Sequence, residues 1–171
     1  MLHFGIRLLS RELYQRMGEP PDMKVTRAHI IASYISTPFW LLTTAYSIFL
    51  PLQLHTIWFY IGLAVLWLSI IMNIFATFDF AETPPNRPVT KGMYRYSRHP
   101  FYVAMLLTYL SVGIASASWI FLSAVIIWAV LIGLSVNDEE RYCLEKYGET
   151  YREYMDRTPR WIGIPKGAKS E

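Results

Sequence analysis

Two short clusters of ionisable residues bracket an uncharged stretch in this sequence. The first is Arg98-His99-Pro100 and the second is Asp138-Glu139-Glu140. Between them, residues 101–136 contain no Asp, Glu, Lys or Arg. Pro100 suits the first turn of a helix, where its missing N–H is not needed. Arg98 and His99 then stand at the positive N-terminal end of that helix, which suits an anion such as a carboxylate or phosphate. Three adjacent acids repel one another and call for a cationic partner. If the uncharged stretch folds back on itself, the two clusters end on one face and lie close together. They then offer donors and positive charge to an anion, and carboxylates to a cation. An amino-acid moiety needs both. The plainer reading is a basic, tyrosine-anchored juxtamembrane loop over Asn86–Tyr102, with the acids as a helix start or a solvated cluster.

Whatever positions these residues is embedded in lipid. Residues 28–50 and 55–78 also lack Asp, Glu, Lys and Arg, and each can cross a hydrocarbon core, which takes about 20 helical residues. Pro51 breaks the helix between them. The stretch 101–136 is too long for one span. A turn at Ala115-Ser116-Ala117-Ser118 divides it into two short spans, roughly 101–116 and 119–136. A re-entrant pair that never crosses is the alternative. Met1–Met17 has a loose apolar stripe beside Arg7, Arg11 and Arg16, giving either an interfacial amphipathic helix or a flexible tail. After the acids, Leu144, Tyr147, Tyr151, Tyr154 and Met155 recur at helical spacing, which predicts an amphipathic helix. It either packs on the membrane or loop, or closes over the site as a lid. Gly148 marks close packing or a break within it.

The expected fold is therefore all-α: a polytopic membrane protein with about four transmembrane helices, an N-terminal interfacial helix and a C-terminal amphipathic helix. A single membrane domain is expected over 1–171. It divides into an N-terminal segment (1–27), a first hairpin (28–78), a loop (79–100), a second hairpin (101–136) and a C-terminal helix and tail (137–171). Lys and Arg number 5 before Ala28, 4 between the second and third spans and 7 after Val136, the whole complement of 16. The two opposite turns carry none. The positive-inside rule then makes the charged face, with both termini, cytoplasmic.

Composition agrees with this reading. The chain is 53% hydrophobic and 17% charged, against about a quarter charged in soluble domains. Its single cysteine, Cys143, excludes an internal disulfide. No basic run is dense enough for a nucleic-acid groove. The first apolar segment starts too late and runs too long for a cleavable signal.

The residues Gly92-Met93-Tyr94, Arg98-His99-Pro100-Phe101-Tyr102, Glu139-Glu140, and Tyr147-Gly148 with Tyr151, Tyr154 and Pro159-Arg160 occur in that order across the uncharged hairpin. In order and spacing they resemble the integral-membrane methyltransferases that include isoprenylcysteine carboxyl methyltransferases and phospholipid N-methyltransferases. The resemblance covers about the last half of the chain, Asn86–Pro165, and has the shorter architecture of a prokaryotic-type member. It implies S-adenosylmethionine as methyl donor, leaving S-adenosylhomocysteine. It also implies cofactor contacts from Arg87, Pro88, Val89, Tyr94, His99, Pro100, Phe101 and Tyr102, with Glu139 on the cofactor's ammonium. Arg98 would position the cofactor carboxylate or hold the loop. No metal is implied.

The eukaryotic isoprenylcysteine enzymes place a substrate-serving arginine four residues before that Glu, where this chain has Ser135. The acceptor is thus open, and a lipophilic molecule arriving laterally from the membrane fits best. Membrane sterol reductases share an Arg-His-Pro-x-Tyr segment and use NADPH; they are the enzyme alternative. A non-enzymatic scaffold or small transporter is the other, disfavoured by the scarcity of polar midplane groups. Oligomeric state is not legible: Gly62 and Gly113 form no clear small-residue interface.

Overall fold

The computed structural model describes residues 23–166. The segment Met1–Met17, expected as an interfacial helix, lies outside them. Among the described residues all regular secondary structure is helical. In chain order come α1 (Arg27–Ile48), α2 (Ile57–Glu82), a 3-10 turn (Gly92–Arg95), α3 (Pro100–Ala115), α4 (Trp119–Tyr147) and α5 (Glu149–Arg157).

Each of the first four helices starts close to the start of one uncharged segment, but α2 and α4 run beyond the ends of theirs, to Glu82 and Tyr147. Two of them, α2 and α4, are long and apolar enough to cross a membrane. Only 22% and 28% of their most apolar windows are buried in protein. A helix that is apolar all round must be buried in protein or in lipid, so these two have the surface of lipid-facing helices. The helix α1 has 22 residues but includes several hydroxyls and Pro38, and α3 has 16 residues. The count of four spans therefore rests on these two weaker elements.

The turn between α3 and α4 falls where expected. Ser118 N–H donates to Gly113 O at 3.0 Å and Ala117 N–H to Ile114 O at 3.0 Å. This is a Schellman-type closure with Ala117 in the left-handed position at φ 51°.

The C-terminal region differs from expectation. Helix α4 does not end near Val136; it runs through Asp138-Glu139-Glu140 to Tyr147. The acids therefore sit inside a helix, and two of them are buried because each finds partners. The helix stops at Gly148, at φ 59° and ψ −133°. That backbone region is open essentially to glycine alone. An added Cβ there would meet nothing within 4 Å, so conformation rather than crowding explains the glycine. Gly148→Ala is expected to cost about 1–3 kcal/mol of stability, read as a lowered midpoint in thermal unfolding of the solubilised protein. The expected amphipathic helix is thus divided, with α5 presenting buried Tyr151 and Tyr154 opposite exposed Arg152, Glu153 and Asp156.

The chain forms two compact units. One comprises residues 25–71 and 102–138. Its core is Trp128, Ile132 and Val136, with Phe39, Tyr102 and Tyr109 packed against it. Helices α2 and α3 meet closely in this unit: a Cβ on Gly62 would lie 2.7 Å from the Ala115 Cβ. Ser69 Oγ donates to Ala104 O at 2.9 Å, which satisfies a hydroxyl that is otherwise costly to bury. Asp138 anchors the start of α1. Its carboxylate accepts from Thr26 N–H at 2.6 Å and Thr26 Oγ1 at 2.9 Å. It also faces His29 Nδ1 at 3.4 Å.

The other unit holds residues 72–101 and everything described from Glu139 onward. Its core is Ala76, Tyr94, Tyr151 and Tyr154, flanked by Phe80, Val89, Phe101, Cys143 and Tyr147. Most of the residues singled out by the sequence lie in this unit.

Candidate cofactor and active site

The loop between α2 and α3 is tied down at several points. Gly92 has φ 53°, and the Asp79 carboxylate lies where a side chain at residue 92 would begin. Asp79 uses this approach to accept the Met93 N–H at 2.8 Å. Tyr154 Oη donates to Tyr94 O at 2.7 Å. Tyr147 Oη donates to Pro85 O at 3.3 Å. The ends of α2, α4 and α5 thus each hold one part of the loop.

At the C-terminal end of the loop lies a charged node centred on Glu140, whose side chain is 4% exposed. Its carboxylate accepts from Arg98 Nε at 2.9 Å and lies 3.2 Å from His99 Nε2. It also accepts from Arg160 Nη2 at 2.5 Å and Nε at 3.2 Å. Arg98 additionally donates through Nη1 to Met155 O at 2.9 Å and Thr158 O at 3.2 Å. Those carbonyls close the end of α5, where cations and donors are favoured. Arg98 therefore joins the loop to the C-terminal helix.

His99 lies between two acids. Its Nε2 faces Glu140, and its Nδ1 is 3.6 Å from Glu139 Oε2. Glu139 is the least buried of the three adjacent acids, with 26% of its side chain exposed, against 2% for Asp138 and 4% for Glu140. Burial pushes the Tyr151 and Tyr154 phenols well above their ordinary range. They stay protonated and serve as donors and packing groups, not as bases.

One unit thus brings together Val89, Tyr94, Arg98, His99, Phe101 and Glu139. Val89 and Tyr94 belong to its core, and Phe101 lies edge-on to Phe80 and Tyr94 at 6.1 and 6.4 Å. Pro100 is buried as the first residue of α3. Pro88 is half-buried and Arg87 exposed, the latter with its N–H on Pro84 O at 3.2 Å. Tyr102 instead packs in the other unit's core.

Sequence reading missed two residues that build the site. Asp79 has no local motif; the only hint is an acid near the end of an apolar run followed by a glycine-bearing loop. Arg160 was part of the motif but had no role, because its partner lies 20 positions away.

Among the described residues these features define an all-helical architecture with membrane-length helices and a charged node beside a tyrosine core. The chain belongs to the family described as protein of unknown function (DUF1295), which matches residues 7–158. It is similar to methanethiol S-methyltransferase 1 of Bradyrhizobium diazoefficiens, at 27% identity over 81 residues, 47% of this chain and 28% of that protein. It is also similar to protein-S-isoprenylcysteine O-methyltransferase of Dictyostelium discoideum, at 30% identity over 88 residues, 45% of this chain and 32% of that protein. The aligned regions span under a third of either relative's length. No solved structure matches the chain. The family findings agree with the integral-membrane methyltransferase resemblance of the motifs.

Proposed function

We propose that this protein transfers a methyl group from S-adenosylmethionine to a lipophilic acceptor at the cytoplasmic face of a membrane. The observation that carries the reading is the partly exposed Glu139 carboxylate beside His99, in one unit with the 86–89 loop and the tyrosine core. Two relatives named as methyltransferases support it.

The residues present fit the methyl donor at several points. Glu139 suits its ammonium group by a charge-assisted hydrogen bond. Arg87, Pro88 and Val89 supply loop backbone near the half-buried Tyr147, and an aromatic face of this kind attracts a cation. When bound, S-adenosylmethionine supplies an electrophilic methyl group on a sulfonium. Glu140 and its cations hold His99 and the end of α5 in place. Arg98 is a positioning residue, because its donors are directed at Glu140 and the α5 carbonyls. A carboxylate or thiolate acceptor needs no base, and holding it in line while excluding water supplies most of the catalysis. An amine acceptor has to arrive neutral. In this reading the acceptor reaches the site laterally from lipid, and the concentration of Lys and Arg in the charged segments favours a cytoplasmic site by the positive-inside rule.

Isothermal titration of the full solubilised chain with S-adenosylhomocysteine and, separately, NADPH tests the reading. Binding of the first and not the second is expected; the reverse result sinks the proposal in favour of a reductase. Glu139→Gln is expected to weaken S-adenosylhomocysteine binding by about 1–3 kcal/mol through loss of a charge-assisted contact. An unchanged affinity in a folded variant removes Glu139 from the site. A methylation screen over lipid extracts identifies the acceptor.

A further inference from the structure

After α5 the chain runs back across the loop that precedes α3. Arg98 N–H donates to Pro159 O at 3.1 Å, and Gly163 N–H donates to Tyr96 O at 3.0 Å. Ser97 Oγ donates to Arg160 O at 3.4 Å. Lys166 N–H then returns to Arg157 O at 2.8 Å. This strap is backbone-bonded at both ends, yet its large apolar side chains face outward. Trp161 is 36% exposed, Ile162 62% and Ile164 90%, and Tyr96 beneath them is 50% exposed. A segment pinned by main-chain bonds gains nothing for its own folding from presenting three such side chains to water.

The strap has a definite level along the chain. It is bonded to residues 96–98, which immediately precede the uncharged stretch 101–136. That places it at the polar end of an apolar helix, where Trp and Tyr concentrate in membrane proteins. Its charge is one-sided: residues 157–166 contain Arg157, Arg160 and Lys166 and no acid. Arg160 is committed to Glu140, Arg157 lies 3.9 Å from Glu153 at the exposed surface, and Lys166 is exposed. Basic side chains at this level are drawn to anionic headgroups.

We propose that Pro159–Lys166 is a membrane-interface anchor that seats Trp161, Ile162 and Ile164 at the headgroup–acyl boundary of an anionic bilayer. The Trp161 ring lies 6.2 Å from the His99 ring, so the anchor places the lipid surface beside the charged node. This inference rests on the protein being in a membrane and not on which reaction it performs.

The test uses the full chain carrying Cys143→Ser and Ile164→Cys. The introduced thiol is labelled with an environment-sensitive fluorophore, and the protein is reconstituted in nanodiscs. Because Ile164 is 90% exposed, its replacement leaves the packing intact. In discs containing phosphatidylglycerol, a blue-shifted emission is expected, quenched by brominated lipid and shielded from aqueous iodide. Shielding is expected to fall when phosphatidylcholine replaces phosphatidylglycerol. Full iodide accessibility with no quenching by brominated lipid overturns the proposal, and so does quenching indifferent to headgroup charge. Cofactor titration of the same labelled protein separates this result from the methyl-transfer reading.

Discussion

Glu140→Ala is expected to destabilise the solubilised protein by about 3–5 kcal/mol, the scale seen when one partner of a buried charge cluster is removed. The reason is what remains. Arg98, 10% exposed, and His99, 9% exposed, would keep their places with no carboxylate between them. Arg160, 37% exposed, can turn to solvent and loses less. Thermal or denaturant unfolding measures the loss. Adding Arg98→Met to Glu140→Ala should cost less than the sum of the two single changes, because the residues share one network. Full additivity would mean that the node is not a unit. Glu139→Gln provides the contrast, since its partly exposed side chain should spare stability while weakening ligand binding.

Gly92→Ala is expected to cost about 2–4 kcal/mol, combining left-handed strain with loss of a hydrogen bond to a charged group. The added methyl would occupy the space of the Asp79 carboxylate, which must then release the Met93 N–H. Asp79→Ala frees that space and removes the bond. Gly92→Ala in that background should therefore cost only the backbone strain. A full-size effect in the double variant would disprove the steric account. Unfolding midpoints of the four proteins decide it, and S-adenosylhomocysteine affinity reports whether the loop carries the ligand.

The four main helices were legible because a run without charge is a strong local signal. Backbone groups in lipid have to bond within the helix, so long uncharged segments leave few alternatives. The turn at 115–118 was legible for the same reason, as small residues interrupt a run too long for one span. The end of α4 was not legible at Val136, because the polarity change there marks the end of the apolar surface and not the end of the helix. Helical hydrogen bonding continues wherever the new side chains find partners, and here they do until Gly148.

The adjacent acids give the sharpest contrast. Successive helical residues point about 100° apart. Asp138 faces Thr26 and His29, whereas Glu140 meets two arginines and His99. Sequence spacing led to the expectation of acids and bases at neighbouring helix ends, but the partners lie 112 and 42 positions away, beyond any local pattern. By itself the sequence determined where the four main helices begin, which segments carry charge and which family the motifs belong to. Tertiary structure alone decided that Glu140 is the buried hub, that Arg98 is spent on the end of α5, and that Glu139 is left partly exposed beside His99. Those outcomes depend on side-chain direction and on which distant groups share a dry environment, where an ionised group must find its counter-charge.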